Sequence, residues 1–110
     1  MFEAGVVGYK GSSLFADALR EACSCAAKNL YYEPALKAPA NSLGELLFGT
    51  ASWKGLIVVE ETEKGMRIRL DAERKQFFSE DTLDKLRLMI HKGLERMQRE
   101  GVLKSYWIIW

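Results

Sequence analysis

Leu103-Lys104-Ser105-Tyr106-Trp107-Ile108-Ile109-Trp110 reads as a β-strand that is apolar on both sides. Side chains of a strand alternate between its two faces, so Tyr106, Ile108 and Trp110 point one way and Trp107 and Ile109 the other. If one of those faces packs on helices of the same chain, the other still presents large apolar side chains. How the chain supplies cover for both faces decides its architecture.

The residues just upstream announce a helix. Ser79 is placed to cap it, Glu80 and Asp81 complement the positive end of its dipole, and Phe78 is positioned to staple onto Leu83. Leu83, Leu86, Ile90, Leu94 and Met97 recur at amphipathic spacing, and Gly101 ends the helix. Before it, Met66, Ile68 and Leu70 alternate with Arg67, Arg69 and Asp71, the period of a half-buried strand. Thr62-Glu63-Lys64-Gly65 is a turn, with Gly65 suited to a positive φ. Leu56-Ile57-Val58-Val59 is a continuous apolar strand leading into it.

The first third of the chain repeats the logic. A strand over 2–9 is followed by a turn between Gly8 and Gly11, and Ser12 or Ser13 caps a helix. Phe15, Leu19, Ala22, Ala26 and Leu30 form that helix's apolar stripe, with Asp17, Arg20, Glu21, Ser24 and Lys28 on its wet side. Segment 31–54 is less regular. Pro34 and Pro39 interrupt long elements, and Ser42-Leu43-Gly44-Glu45 is a capping-box pattern that starts a short helix through Leu46, Leu47 and Phe48 to Gly49. A connection of this length in a small domain covers or does something.

The order is β-α-β-β-α-β with a short helical insert after the first helix. It resembles the split βαβ, or ferredoxin-like, α+β sandwich, in which both helices cover one face of a four-stranded sheet. That resemblance is to a superfold, which does not carry a function with it. With 110 residues, the span 1–110 is expected to be a single domain that buries roughly 65% of its unfolded surface without help from metal or disulfide. Hydrophobic residues make up 48% and charged residues 28%, ordinary for a soluble protein. A net charge of +1 gives no global field toward nucleic acid or an anionic membrane. No apolar run reaches the ~18–20 residues of a membrane span, and Met1-Phe2-Glu3-Ala4 lacks the basic start of a secretory leader. Cys23 and Cys25 fall about 200° apart on a helix, which argues against a mutual disulfide and for reduced thiols in the cytoplasm.

The uncovered sheet face is the main functional expectation. Val7, Tyr9, Arg67, Arg69, Tyr106, Trp107, Ile109 and Trp110 are its candidate binding residues. An apolar patch beyond roughly 300–600 Å² is rarely left open on a monomer. Three covers are conceivable: the 31–54 insert, a second copy packed sheet to sheet, or a partner or ligand. A homodimer is the preferred cover, since two-fold self-association is the commonest oligomer, and a protein partner is next.

Other motifs are weaker. Arg67 and Arg69 with nearby aromatics are a mixture that stacks on and neutralises single-stranded RNA, but Met66-Arg67-Ile68-Arg69-Leu70 has no aromatic where an RRM places its stacking residues. Nucleic acid is therefore an alternative partner rather than the favoured one. Gly8, Lys10, Gly11, Ser12 and Ser13 join a strand to a helix N-terminus and are candidates for holding a phosphate or carboxylate, which would suit a small ligand-binding protein or enzyme; the Gly-Lys-Ser/Thr ending of a P-loop is absent. Lys85, Arg87, Lys92, Arg96 and Arg99 are balanced by Asp84, Glu95 and Glu100, as on a solvated helix face. Glu60, Glu61 and Glu63 read as charge around the hairpin turn. Asp71 and Glu73 offer too few ligands for Mg²⁺, and one histidine, His91, with two cysteines cannot make an ordinary zinc set. No catalytic set and no cofactor motif is legible. The expectation is a non-enzymatic binding or regulatory module.

Overall fold

The computed structural model describes residues 2–9, 12–30, 43–48 and 50–110. The elements are β1 (Glu3–Val7), α1 (Ser12–Leu30), α2 (Leu43–Phe48), α3 (Thr50–Leu56), β2 (Ile57–Glu61), β3 (Gly65–Leu70), a 3₁₀ turn (Arg74–Phe77), α4 (Glu80–Arg99) and β4 (Ser105–Ile109). They form a small α+β domain around one four-stranded sheet of order β2-β3-β1-β4, in which every neighbouring pair is antiparallel. β1 and β2 therefore run parallel with β3 between them, and β3 and β4 run parallel with β1 between them.

α1 and α4 pack on each other and cover one sheet face, α1 toward β2 and α4 toward β4. Phe15, Leu19 and Cys23 of α1 meet Leu83, Leu86, Ile90 and Leu94 of α4 in a core that includes Ala4, Val6, Met66 and Ile68 of the sheet, all buried. The approach is close at Gly93, where an added Cβ would come within 2.8 Å of the Cys23 Sγ. Both ends of α4 follow the sequence. Ser79 Oγ accepts the Thr82 N–H at 3.1 Å. At the other end Val102 N–H donates to the Met97 carbonyl at 2.8 Å and Gly101 N–H to that of Gln98 at 3.0 Å, the paired bonds of a Schellman motif, with Gly101 at φ +77°.

Three features depart from the sequence reading. Leu56 belongs to α3 rather than to the second strand, and α3 carries Trp53, which is buried. Gly65 does not have a positive φ. It opens β3, and the reason for glycine there is steric, since a Cβ would collide with the Val6 carbonyl oxygen. Finally, Leu46, Leu47 and Trp53 pack into the same core as the long helices. The described part of the insert thus lies in the helical layer and leaves the outer sheet face uncovered. Pro34, Pro39, Ser42 and Gly49 lie outside the described residues.

At Gly101 an added Cβ would meet no atom within 4 Å, so only the left-handed backbone conformation resists substitution. Gly101→Ala is expected to lower stability by about 1–2 kcal/mol and Gly101→Asn by less. The shift of the urea midpoint at constant slope measures both.

Candidate functional site

The register fixes which side chains share the outer face. Across the sheet, Val58, Arg69, Glu3 and Ile109 form one row, and Glu60, Arg67, Gly5 and Trp107 the next. Toward β2 the face is charged and internally paired. Arg67 Nε lies 2.8 Å from Glu3 Oε1, and Arg69 reaches Glu60 Oε1 through Nη2 at 3.0 Å and Nε at 3.1 Å. Both pairs are half exposed, so each adds little to stability. Their effect is to match two arginines with two carboxylates on neighbouring strands and so to leave a near-neutral surface. Glu60 is therefore a strand residue in an ion pair rather than turn charge.

Toward β4 the face is apolar. Gly5 stands directly opposite Trp107, and a Cβ on Gly5 would run into the indole ring at Cε2 and Nε1. The ring thus lies across the β1 backbone. Trp107 remains 44% exposed and Ile109 60% exposed. Val7 borders them, half buried.

Of the eight candidate face residues, the structure brings together Val7, Arg67, Arg69, Trp107 and Ile109. The remaining aromatics lie on the helix side. Tyr9 follows β1 and packs edge-on against Phe15, with ring centroids 5.1 Å apart. Tyr106 meets His91 of α4 at 5.9 Å, and Trp110 meets Phe2 edge-on at 5.7 Å. Burial, and then the negative charge of Glu95, push the Tyr106 phenol above its ordinary pKa.

Two clefts flank the β2–β3 hairpin. One of about 360 Å³ lies on the outer face between Val7, Arg67, Trp107 and Thr62-Glu63-Lys64. The other, about 540 Å³, is lined by Gly8, Tyr9 and the hairpin from Glu61 to Met66. It adjoins the loop with anion-binding potential, yet among its described lining residues Glu61 and Glu63 outnumber Lys64, an unfavourable balance for an anion. Gly8 has φ +94° and its N–H is directed at the Lys64 carbonyl, 3.4 Å away, so that donor is already engaged. Lys10 and Gly11, and the side chains of Ser12 and Ser13, lie outside the described residues.

Elsewhere, Asp71 Oδ2 accepts the N–H of Arg74, the first residue of the 3₁₀ turn, at 2.9 Å. Arg87 pairs with Asp84 and Glu80 along α4. Among the described residues, no group of three or more His, Cys, Asp or Glu side chains is gathered as a metal would need, and no helix is long and apolar enough to cross a membrane. Comparison with protein-family models, with curated proteins and with solved structures finds no match.

The sequence reading missed the diagonal Glu3–Arg67 and Glu60–Arg69 pairing and the glycine seat for Trp107. The signal for the second is Gly5 in the middle of a strand, a position where a close approach is the usual reason for glycine.

Two outcomes follow from this geometry. Gly5→Val is expected to lift the Trp107 indole off β1 and shift tryptophan emission to longer wavelength, with Trp107→Phe in the same background abolishing the shift. Burial raises the Cys23 thiol pKa while Cys25 is only half buried. A thiol reagent is thus expected to modify one cysteine of the native protein and the second only on unfolding, with Cys25→Ser removing the fast phase.

Proposed function

We propose that this chain is a non-enzymatic binding module, built on a ferredoxin-like arrangement, that associates with a second copy or a protein partner through the β4 margin of its outer sheet face. The observation that carries the reading is Trp107 and Ile109, side by side on that face and 44% and 60% exposed. The ferredoxin-like assignment is supported by the two parallel strand pairs, each connected through a long helix with one antiparallel strand between them. Two free cysteines two residues apart support a reducing, cytoplasmic setting.

Magnitudes narrow the contact. The exposed parts of Trp107 and Ile109 offer on the order of 200 Å² of apolar surface per copy. Two copies would remove ~400 Å² from water, worth ~10 kcal/mol at ~25 cal/mol per Å², against an association cost of ~4–15 kcal/mol. Apolar contact at this margin therefore comes close to break-even and calls for added polar bonds. Stacking the whole face on another sheet adds area, but it also strips water from both ion pairs, a desolvation their attraction does not reliably recover.

RNA binding on the same face is a second reading, supported by Trp107, Arg67 and Lys64 lining one cleft. It is the weaker one because the guanidinium charges of Arg67 and Arg69 are already matched by Glu3 and Glu60.

Light scattering is expected to give a mass above 12.5 kDa that grows with concentration, and Trp107→Ala or Ile109→Ser to return it to the monomer. Single-stranded RNA is expected to leave tryptophan emission unchanged at low salt. A mass that never rises removes self-association, and salt-sensitive quenching by RNA that Arg67→Ala abolishes moves the assignment to the second reading.

A further inference from the structure

The two edges of the sheet differ. β2 carries Glu60 and Glu61, the kind of charge with which natural sheets discourage edge pairing. β4 has no charged residue and no proline, and among the described residues β1 is its one strand neighbour. Its backbone polarity can be read from the ladder. Antiparallel pairing turns the N–H and C=O of alternate residues toward alternate neighbours. The Gly8 N–H is directed at the Lys64 carbonyl in register with β1–β3, so Glu3, Gly5 and Val7 turn their backbone groups toward β4. Lys104 N–H on the Val7 carbonyl, at 2.9 Å, agrees with this. Their partners Ser105, Trp107 and Ile109 are thus bonded inward, and the N–H and C=O groups of Tyr106 and Ile108 point out of the edge.

We propose that this edge is completed by β4 of a second copy, running antiparallel across a two-fold axis at Trp107. The inference rests on the reading of the β4 margin as a contact surface, and it narrows the contact to strand pairing. In this register Tyr106 faces the second copy's Ile108 and Ile108 its Tyr106, so every outward backbone group of these residues is bonded. Trp107 then stands at a non-hydrogen-bonded position opposite its own copy, where Cα atoms approach to about 4.5 Å, while each indole stays on its own Gly5. Ile109 stands opposite Ser105. Each Lys104 faces Trp110 of the other copy, which keeps the ammonium groups apart. A strand uncharged over its whole length is matched by itself, and a symmetric contact closes without leaving a new edge at the seam. The Glu3–Arg67 and Glu60–Arg69 pairs stay in water, whereas a sheet-on-sheet stack would bury them. The result is one continuous sheet twice as wide, with the two outer faces side by side.

Amide hydrogen exchange on the full chain, followed with scattering mass across a dilution series, tests this. The expected result is a mass that rises to twice 12.5 kDa while the Tyr106 and Ile108 amides slow on the order of tenfold or more. The Ser105, Trp107 and Ile109 amides stay protected throughout. Trp107→Lys and Trp107→Glu are each expected to be monomeric, with an equimolar mixture re-forming the dimer. Circular dichroism establishes that both variants fold, and the wild-type exchange data decide alone if they do not. A dimer whose Tyr106 and Ile108 amides exchange freely overturns strand pairing and leaves the outer-face reading standing. A mass fixed at the monomer value overturns the second copy as occupant and leaves only a protein partner for the margin. Protection of those amides only on adding a strand-donating protein overturns the second copy as occupant.

Discussion

The contact between Cys23 and Gly93 sets the spacing of everything above the sheet. With no side chain at Gly93, α4 can approach α1 until the Cys23 thiol fills the space a Cβ would occupy. Leu19 and Phe15 on one helix and Leu86, Ile90 and Leu94 on the other then close over Ala4, Val6, Met66 and Ile68, none of which is more than 2% exposed. Large side chains at that crossing would hold the helices further apart and open the core between them. The same closeness makes the helical layer compact in width. Two helices, extended by α2 and α3, suffice for the inner face and supply nothing to the outer one.

The outer face meets that deficit in two chemically different ways. Over β2, β3 and β1 the chain places carboxylates and guanidinium groups at diagonal positions, so polar heads shield the aliphatic stems beneath them. Over β4 it does something else. Gly5 gives up its side chain so that the Trp107 indole can rest on backbone, which covers part of the ring and part of β1 together. The exposure that remains at Trp107 and Ile109 is what this solution cannot hide, and it falls at the edge of the sheet rather than at its centre.

Much of this was legible from residues alone where local chemistry decides the outcome. Ser79 caps the start of α4 and Gly101 stops it because capping groups act within a turn. β3 alternates because one face is buried and the other is not. Failures came where a decision depends on pairing partners. TASWKGL forms α3 although Gly55 and the β-branched run after it favour extended backbone, because burying Trp53 against the core outweighs local propensity. The ion pairs depend on register: Glu3 and Arg67 are 64 positions apart, and only the β1–β3 alignment makes them diagonal neighbours. The alternation in β4 correctly separates Trp107 and Ile109 from Tyr106 and Trp110, but it does not say which set faces the helices. That is settled by His91 and Phe2, which take the second set.

The glycine seat also bears on what the exposed indole is fit to do. A tryptophan free in solvent samples many rotamers, and binding through it costs the entropy of fixing one of them. Here the ring rests over Gly5 of β1, in the space a Cβ would occupy. That seat meets part of the entropic cost of ordering Trp107 in folding. Ile109, with a short branched side chain, has few rotamers to lose. One aromatic ring resting on backbone, one stiff aliphatic side chain and a strand edge with a single strand neighbour among the described residues make this margin ordered by the fold itself.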